Sequence, residues 1–305
     1  MISINNITKK FPSTTALDKV TLRIDDKEFF GLLGPNGAGK STLMNLLIGY
    51  LDANEGEILI DDEKITKDNL EIKKKIGLVP QTIALYEEIS AQENLEIFGS
   101  LFNLDKKDLR YTIAQKLKMV GLFEKGKEKV RTFSGGMKRR LNLAASLLHD
   151  PKILLCDEPT VGIDPQSRNA IFEFLEKLNN EGKTIIYTTH YMEEAERLCN
   201  RIAIIDEGHI ISVGTKQELL DSLDYEQTIS ISKNRLTESN KALFSSFGKL
   251  IDENDKFELQ PAEGLKLSDF FEAIEKNGIS YSNINIKKPS LEALFLNLTG
   301  KSLRD

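Results

Sequence analysis

Positive charge is in deficit: 41 lysines and arginines face 47 aspartates and glutamates in 305 residues, a formal net charge of −6 and a pI near 5.4. There is no basic field of the kind that holds a phosphate backbone, so nucleic acid is not expected as a partner. Cysteine is scarce too. Cys156 and Cys199 lie in apolar or helical contexts without metal-ligand spacing, which excludes a disulfide framework and suits a reduced compartment. No run reaches the roughly 18 uninterrupted apolar residues that cross a membrane, and the opening MISINNITKKF has no apolar leader core. The chain is therefore expected in the cytoplasm, reaching a membrane only through a partner. Internal repeats, low-complexity tracts and sustained heptads are missing as well.

The length allows two domains, one about twice the size of the other. Short alternating runs over residues 2–60 flank a continuous apolar run, FFGLL, which predicts half-exposed strands around one buried strand. From Ser90 the spacing turns helical. Ser90 and Glu93 form a capping box, and Leu95, Phe98, Leu101 and Phe102 recur at helical intervals, opening a helical insert over about 82–149. KILLC, TIIYTTH and RIAIID then alternate with helical stretches at Gln166–Asn180 and Met192–Asn200, the pattern of a parallel sheet covered by helices. After Gly214, TISIS, KFELQ and ISYSNINI read as strands, and Leu236–Phe247, Leu267–Lys276 and Leu291–Leu298 as helices. The expected fold is α/β: a phosphate-loop core with a parallel sheet, an N-terminal antiparallel β subdomain and a helical insert in residues 1–215. A small α+β domain over 216–305, ferredoxin-like in its element order, completes it.

The chemistry concentrates at three places. Gly34, Pro35, Asn36, Gly37, Ala38, Gly39, Lys40, Ser41 and Thr42 fit a complete phosphate loop that follows a buried strand and opens a helix over Thr42–Ile48. Glycines let backbone N–H groups close around phosphates, Lys40 reaches their terminal oxygens, and the Ser41 hydroxyl suits Mg²⁺. This predicts a nucleoside-triphosphate site. KILLCDEP sets Asp157 and Glu158 at the C-terminal end of a buried strand, where open parallel sheets hold ligands. Asp157 suits Mg²⁺, and Glu158 suits the attacking water as general base. His190, at the end of the next strand, is placed to donate to a γ-phosphate, whereas His149 and His209 read as structural.

Third, Ser134-Gly135-Gly136 opens a basic helix and reads as a second anion site. It has no lysine and no second Asp-Glu pair, so it is half a site. Lys138, Arg139 and Arg140 behind it suit a solvated helix face as well as any functional role.

In order, the phosphate loop, Gln81, FSGGM, ILLCDEP, VGID ending at Asp164, and His190 resemble the ATP-binding cassette of ABC transporters over about residues 1–215. SGGMKRRL and the ending PSLEALFLNLTGKSLRD resemble the export branch, whose ATPase is a separate chain from its membrane permease. The resemblance implies that Phe11 stacks on adenine. Gln81 would link Mg²⁺ and the attacking water to the membrane partner, and Asp164 would connect opposing sites. It also implies ATP sandwiched between the phosphate loop of one copy and Ser134, Gly135 and Gly136 of a second ATPase subunit, a homodimer being expected. Met137 departs from the pattern: many members have glutamine there, and a thioether cannot hydrogen-bond a ribose as an amide can. The competing reading is an ABC ATPase acting on ribosomes or DNA. Such members carry two cassettes or long coiled coils, and this chain has neither. An ATP-binding regulatory module without turnover is opposed by Glu158 and His190. Residues 216–305 carry no catalytic constellation and suit packing, dimer stabilisation or a permease contact.

Overall fold

The computed structural model describes residues 1–102, 106–223, 228–233, 238–252, 255–262, 264–287 and 290–299. Two units emerge, Met1–Lys216 and Gln217–Ser302.

The first unit begins with the long strands β1 (Ile2–Phe11) and β2 (Thr14–Ile24), whose alternating burial leaves one wet face. The next strand, β3 (Phe29–Leu33), is buried at every position. Helix α1 (Lys40–Leu47) starts two residues earlier than its apolar pattern suggested, because Lys40 already follows a left-handed Gly39. The strands β4 (Glu55–Ile60) and β5 (Glu63–Lys64) join the first two in an antiparallel sheet of order β2-β1-β4-β5.

Helix α2 (Leu70–Lys74) leads to β6 (Ile76–Val79). The helical insert follows as α3 (Ala91–Ser100), α4 (Lys106–Met119) and α5 (Gly135–Ser146). Ser90 caps α3 through a reciprocal capping box with Glu93. The chain continues through β7 (Ile153–Asp157), α6 (Pro165–Asn180), β8 (Thr184–Thr189), α7 (Met192–Leu198), β9 (Arg201–Asp206) and β10 (His209–Thr215). These build a six-stranded sheet of order β10-β9-β3-β8-β7-β6, parallel except for its β10 edge.

Successive residues of β3 serve opposite cores. Phe30 and Leu32 pack toward α1 and the antiparallel sheet, and Phe29 toward the layer containing α6. A third cluster, with Leu95, Ile113 and Leu141, holds the insert together. Both faces of the central sheet are thus covered, which explains why β3, β7 and β8 read as unbroken apolar runs.

The second unit opens with helix α8 (Lys216–Asp221). It runs β11 (Thr228–Ser232), α9 (Glu238–Ser245), β12 (Gly248–Asp252), β13 (Lys256–Pro261), α10 (Leu267–Lys276), β14 (Ile284–Lys287) and α11 (Leu291–Thr299). Its antiparallel sheet has the order β12-β13-β11-β14, the ferredoxin-like βαββαβ arrangement. Ile229, Phe257 and Leu259 meet Phe270 and Ile274 of α10 in its core. The stretch ISYSNINI is not one strand. Ser280 caps a short 3₁₀ turn over Tyr281–Asn283 by accepting from Ser282 N–H, and pairing starts only at Ile284. Residues 236 and 237 of the expected helix, and 289 and 300–305 of the tail motif, lie outside the described residues. Among those described, no helix is long and apolar enough to cross a membrane.

Candidate functional site: a phosphate loop facing a buried carboxylate

Gly34 leaves β3 so close to β9 that a Cβ there would sit 2.1 Å from Ile205 O, and its N–H donates to Thr189 O at 3.3 Å. Gly39 adopts φ 106°, and a Cβ would lie 2.6 Å from Ala16 O. The loop therefore needs glycine at both ends for different reasons, one steric and one conformational. Pro35, Asn36, Gly37 and Ala38 form the bend between them, with Ala38 N–H donating to Pro35 O at 3.2 Å. Phe11 ends β1 at 39 % exposure, with Lys9 Nζ 5.3 Å from its ring centroid. Just beyond its turn, Ala16 and Leu17 back Gly39.

Lys40 is almost fully buried. Its ammonium donates to Gly34 O at 2.8 Å and Pro35 O at 3.0 Å, and pairs with Glu158 Oε1 at 3.0 Å. The other oxygen of Glu158 accepts from Gln81 Nε2 at 3.3 Å. His190 Nδ1 lies 3.2 Å from it, without the alignment of a hydrogen bond. Loop, strand-end carboxylate, Gln81 and His190 thus converge on one point. Ser41 and Thr42 follow Lys40 in the first turn of α1.

Glu158 has φ 44°, a conformation that costs about 1–3 kcal/mol for a residue with a Cβ. Thr188 holds it there: Glu158 N–H donates to Thr188 Oγ1 at 3.0 Å and to Thr188 O at 3.2 Å. The same hydroxyl donates to Asp157 Oδ1 at 2.7 Å. One threonine of β8 therefore orients both acidic residues. Nothing in the motif reading singled it out.

Glu194 on α7 was missed for the same reason. It is 3 % exposed and accepts hydroxyls from Thr160 and Thr189 at 2.8 Å and from Tyr187 at 2.9 Å. Thr160 opens the turn toward Asp164, and Thr189 precedes His190. Burial beside that carboxylate pushes the Tyr187 phenol well above its ordinary pKa. The visible signal was a pair of threonines and a tyrosine inside a strand with every position buried, where each hydroxyl needs a partner.

The Ser134 half is built differently. Ser134 caps α5 by accepting from Met137 N–H at 3.3 Å, while Ser134 and Gly135 stay exposed. Gly136 is pressed on the start of α6: a Cβ would lie 2.2 Å from Ser167 Oγ and 3.6 Å from Asp164 Oδ2. Asp164 caps α6 by accepting from Ser167 N–H at 2.9 Å, and that bond is the first cause holding its carboxyl below the usual range. The two helix starts are packed together at Gly136, and the capping bond of each stays within its own first turn. Met137 turns inward and packs against the core of the helical insert.

The basic residues behind it are not a solvated face. Lys138 pairs with Glu87 at 2.6 Å, Arg140 donates to Val120 O at 2.8 Å, and Arg139 is buried against the Gln81 segment. His149 is structural, its ring 3.9 Å from that of Phe102 and its Nε2 2.9 Å from Ile76 O.

Beside Gln81 runs an apolar groove of about 380 Å³, lined among others by Ile48, Leu78, Pro80, Phe98 and Leu101. Leu101 is 71 % exposed. Two polar atoms in its wall, Asn142 Nδ2 and His149 Nδ1, are buried without a hydrogen-bond partner.

Residues 17–161 match the family described as ABC transporter. The chain is 41% identical to the linearmycin resistance ATP-binding protein of Bacillus subtilis, covering 100% of both chains. It is 34% identical to the daunorubicin resistance ATP-binding protein of Streptomyces coeruleorubidus, over 99% of this chain and 97% of that one. It is also 34% identical to the Nod factor export ATP-binding protein I of Cupriavidus metallidurans, over 100% and 99%. Among solved structures, the dimeric post-hydrolysis state of an ATP-binding cassette bound to ADP and Pi is 32% identical, with a TM-score of 0.64 over 70% of this chain and 98% of that chain. With the loop, the acidic strand end and the Ser134 turn in one chain, these likenesses lead to one conclusion: the protein belongs to the ABC transporter family, as an ATP-binding ATPase of its export-type branch.

Proposed function

We propose that this chain powers export through a separate membrane permease, as half of an ATPase dimer. The observation that carries the reading is a phosphate loop converging with Glu158, Gln81 and His190 on one side of the chain, while Ser134, Gly135 and Gly136 offer uncommitted backbone donors elsewhere. In this reading ATP lies between the loop of one copy and the Ser134 turn of another. Phe11 stacks on the base, and Asp164 sits where the copies meet. Residues 1–215 form the nucleotide-binding domain, with its helical subdomain over 82–149, and 216–305 an accessory domain.

Glu158 is the general base. Lys40 turns from it to the phosphate oxygens, His190 donates to the γ-phosphate, and Gln81 orients the attacking water. Ser41 and Asp157 supply hard oxygen donors that fit Mg²⁺: Asp157 uses one oxygen on Thr188, and its other has no protein hydrogen bond among the described residues. When bound there, Mg²⁺ offsets charge on the phosphate oxygens. Charge-assisted hydrogen bonds contribute about 1.5–3 kcal/mol each, so a few at two sandwiched γ-phosphates reach the ~5.5 kcal/mol that moves an equilibrium from mostly open to mostly closed. Hydrolysis removes the bridging group and reopens the pair.

The groove beside Gln81 receives a segment of the permease. Its apolar lining and exposed Leu101 suit a short helix at the cytoplasmic face. The chain is then cytoplasmic and peripheral on the membrane. Affinity purification from native membranes is expected to recover a polytopic membrane protein with this chain, and Leu101→Asp to diminish that recovery. Purification without any such protein would sink the transport reading.

A further inference from the structure

Arg139 is 3 % exposed, and no carboxylate pairs with it among the described residues. Its Nη1 donates to Pro80 O and its Nη2 to Gln81 O, both at 2.8 Å, and its Nε has no hydrogen-bond partner. Burial pushes its pKa down. A buried guanidinium without an anion is a costly way to fill space, and a methionine or leucine would pack as well. What only the fork supplies is a rigid two-point grip on consecutive carbonyls.

The gripped segment joins three places. Pro80 lines the groove together with Asn142, which lies one turn beyond Arg139 on the same face of α5. The Gln81 side chain donates to Glu158 Oε2 at 3.3 Å. The helix that carries Arg139 begins at the Ser134 cap. Backbone carbonyls are strong acceptors whose direction moves with the peptide plane, so two of them fixed from one planar group define the orientation of the Gln81 segment relative to α5.

We propose that Arg139 is a positioning residue: its two-pronged hold makes Pro80–Gln81 and α5 move as one body, so that the groove, the Gln81 amide beside Glu158 and the Ser134 turn report on one another. This rests on the reading of the groove as a permease contact and of the Ser134 turn as the half that meets nucleotide. A pull on Pro80 is thereby delivered both to the position of the attacking water and to the start of α5.

The test is a double-mutant cycle on the full chain, read in ATP turnover at saturating ATP. Arg139→Met and Gln81→Ala are each expected to lower kcat about tenfold, and the double variant no further than about tenfold, because both remove the same placement of one amide. Arg139→Lys, which keeps the charge but reaches one carbonyl at a time, is expected to fall between parent and Arg139→Met. ATP affinity in the Arg139 variants is expected within about twofold of the parent, a split that general destabilisation would not produce. Should Arg139→Met fail to fold, the cycle is run with Arg139→Lys. Losses that multiply to about a hundredfold in the double variant, or full kcat in Arg139→Met, overturn the role of Arg139 while leaving the ATPase assignment intact. An unmodified protein that never hydrolyses ATP overturns the underlying reading as well.

Discussion

The two halves of the proposed nucleotide site differ in how far the chain satisfies them by itself. At the phosphate loop, Lys40 has three partners and the Glu158 carboxylate meets Lys40, Gln81 and His190, with Lys40 and Glu158 both buried. At the Ser134 turn, the hydroxyl merely caps its own helix, and Gly135 faces solvent. The first half is chemically complete and preorganised; the second is a surface with donors and nothing to hold. A fold that buries one half and exposes the other has separated chemistry from assembly, and each can be broken alone.

The largest effect is expected at the buried half. Glu158→Gln removes the base but keeps the shape, so steady-state hydrolysis should drop by about 10²–10⁴-fold while ATP still binds and an ATP-held dimer accumulates in size-exclusion chromatography. Undiminished phosphate release would remove Glu158 from its role. Lys40→Ala should weaken ATP binding about ten- to a hundredfold in calorimetry, the loss of one or so charge-assisted hydrogen bonds of about 1.5–3 kcal/mol. Unchanged affinity would dissolve the phosphate-loop assignment.

The exposed half gives a sharper result in mixtures. Ser134→Arg should bind ATP normally in the single chain yet lose most turnover. Mixing it with Lys40→Ala should restore part of the activity, because one interface of the mixed pair then holds two intact halves. Two inactive proteins that stay inactive together would mean that the halves do not meet in trans.

The smallest effect concerns the seam beside Gly136. The folded-state pKa of Asp164 is depressed, chiefly by the Ser167 N–H, so the stability it confers is present above the ordinary carboxylate pKa and disappears as pH falls through the lowered value. Asp164→Ala should therefore lower the thermal midpoint slightly at neutral pH and leave it unchanged once the medium is acidic enough to protonate the parent. An equal deficit at both pH values would contradict the capping role.

Local grammar carried much of the architecture. The unbroken runs of β3, β7 and β8, the capping box at Ser90 and the alternation of the outer sheet each express a period or a cap within a few residues. The loop and the acidic strand end were legible for the same reason. Thr188, Glu194 and Arg139 were not, because their meaning lies in partners about 30 to 60 positions away in the sequence or in a residue brought near by strand pairing, and no spacing rule reaches them. Lys138 and Arg140 looked solvated because charge on a helix usually is, and only packing against Glu87 and Val120 reverses that expectation. ISYSNINI misled in the opposite direction: its apolar residues alternate well enough for a strand, but the serine pair closes a turn first.

Glu194 works as a common pivot. The segment ahead of Asp164 and the segment ahead of His190 hang from the same buried carboxylate through Thr160 and Thr189. Thr160 holds one oxygen of that carboxylate and Thr189 the other, so a shift of either segment pulls on the group that anchors both. In the proposed dimer, a disturbance at Asp164 would therefore be felt beside His190, and the reverse, through a lever arm only one side chain long.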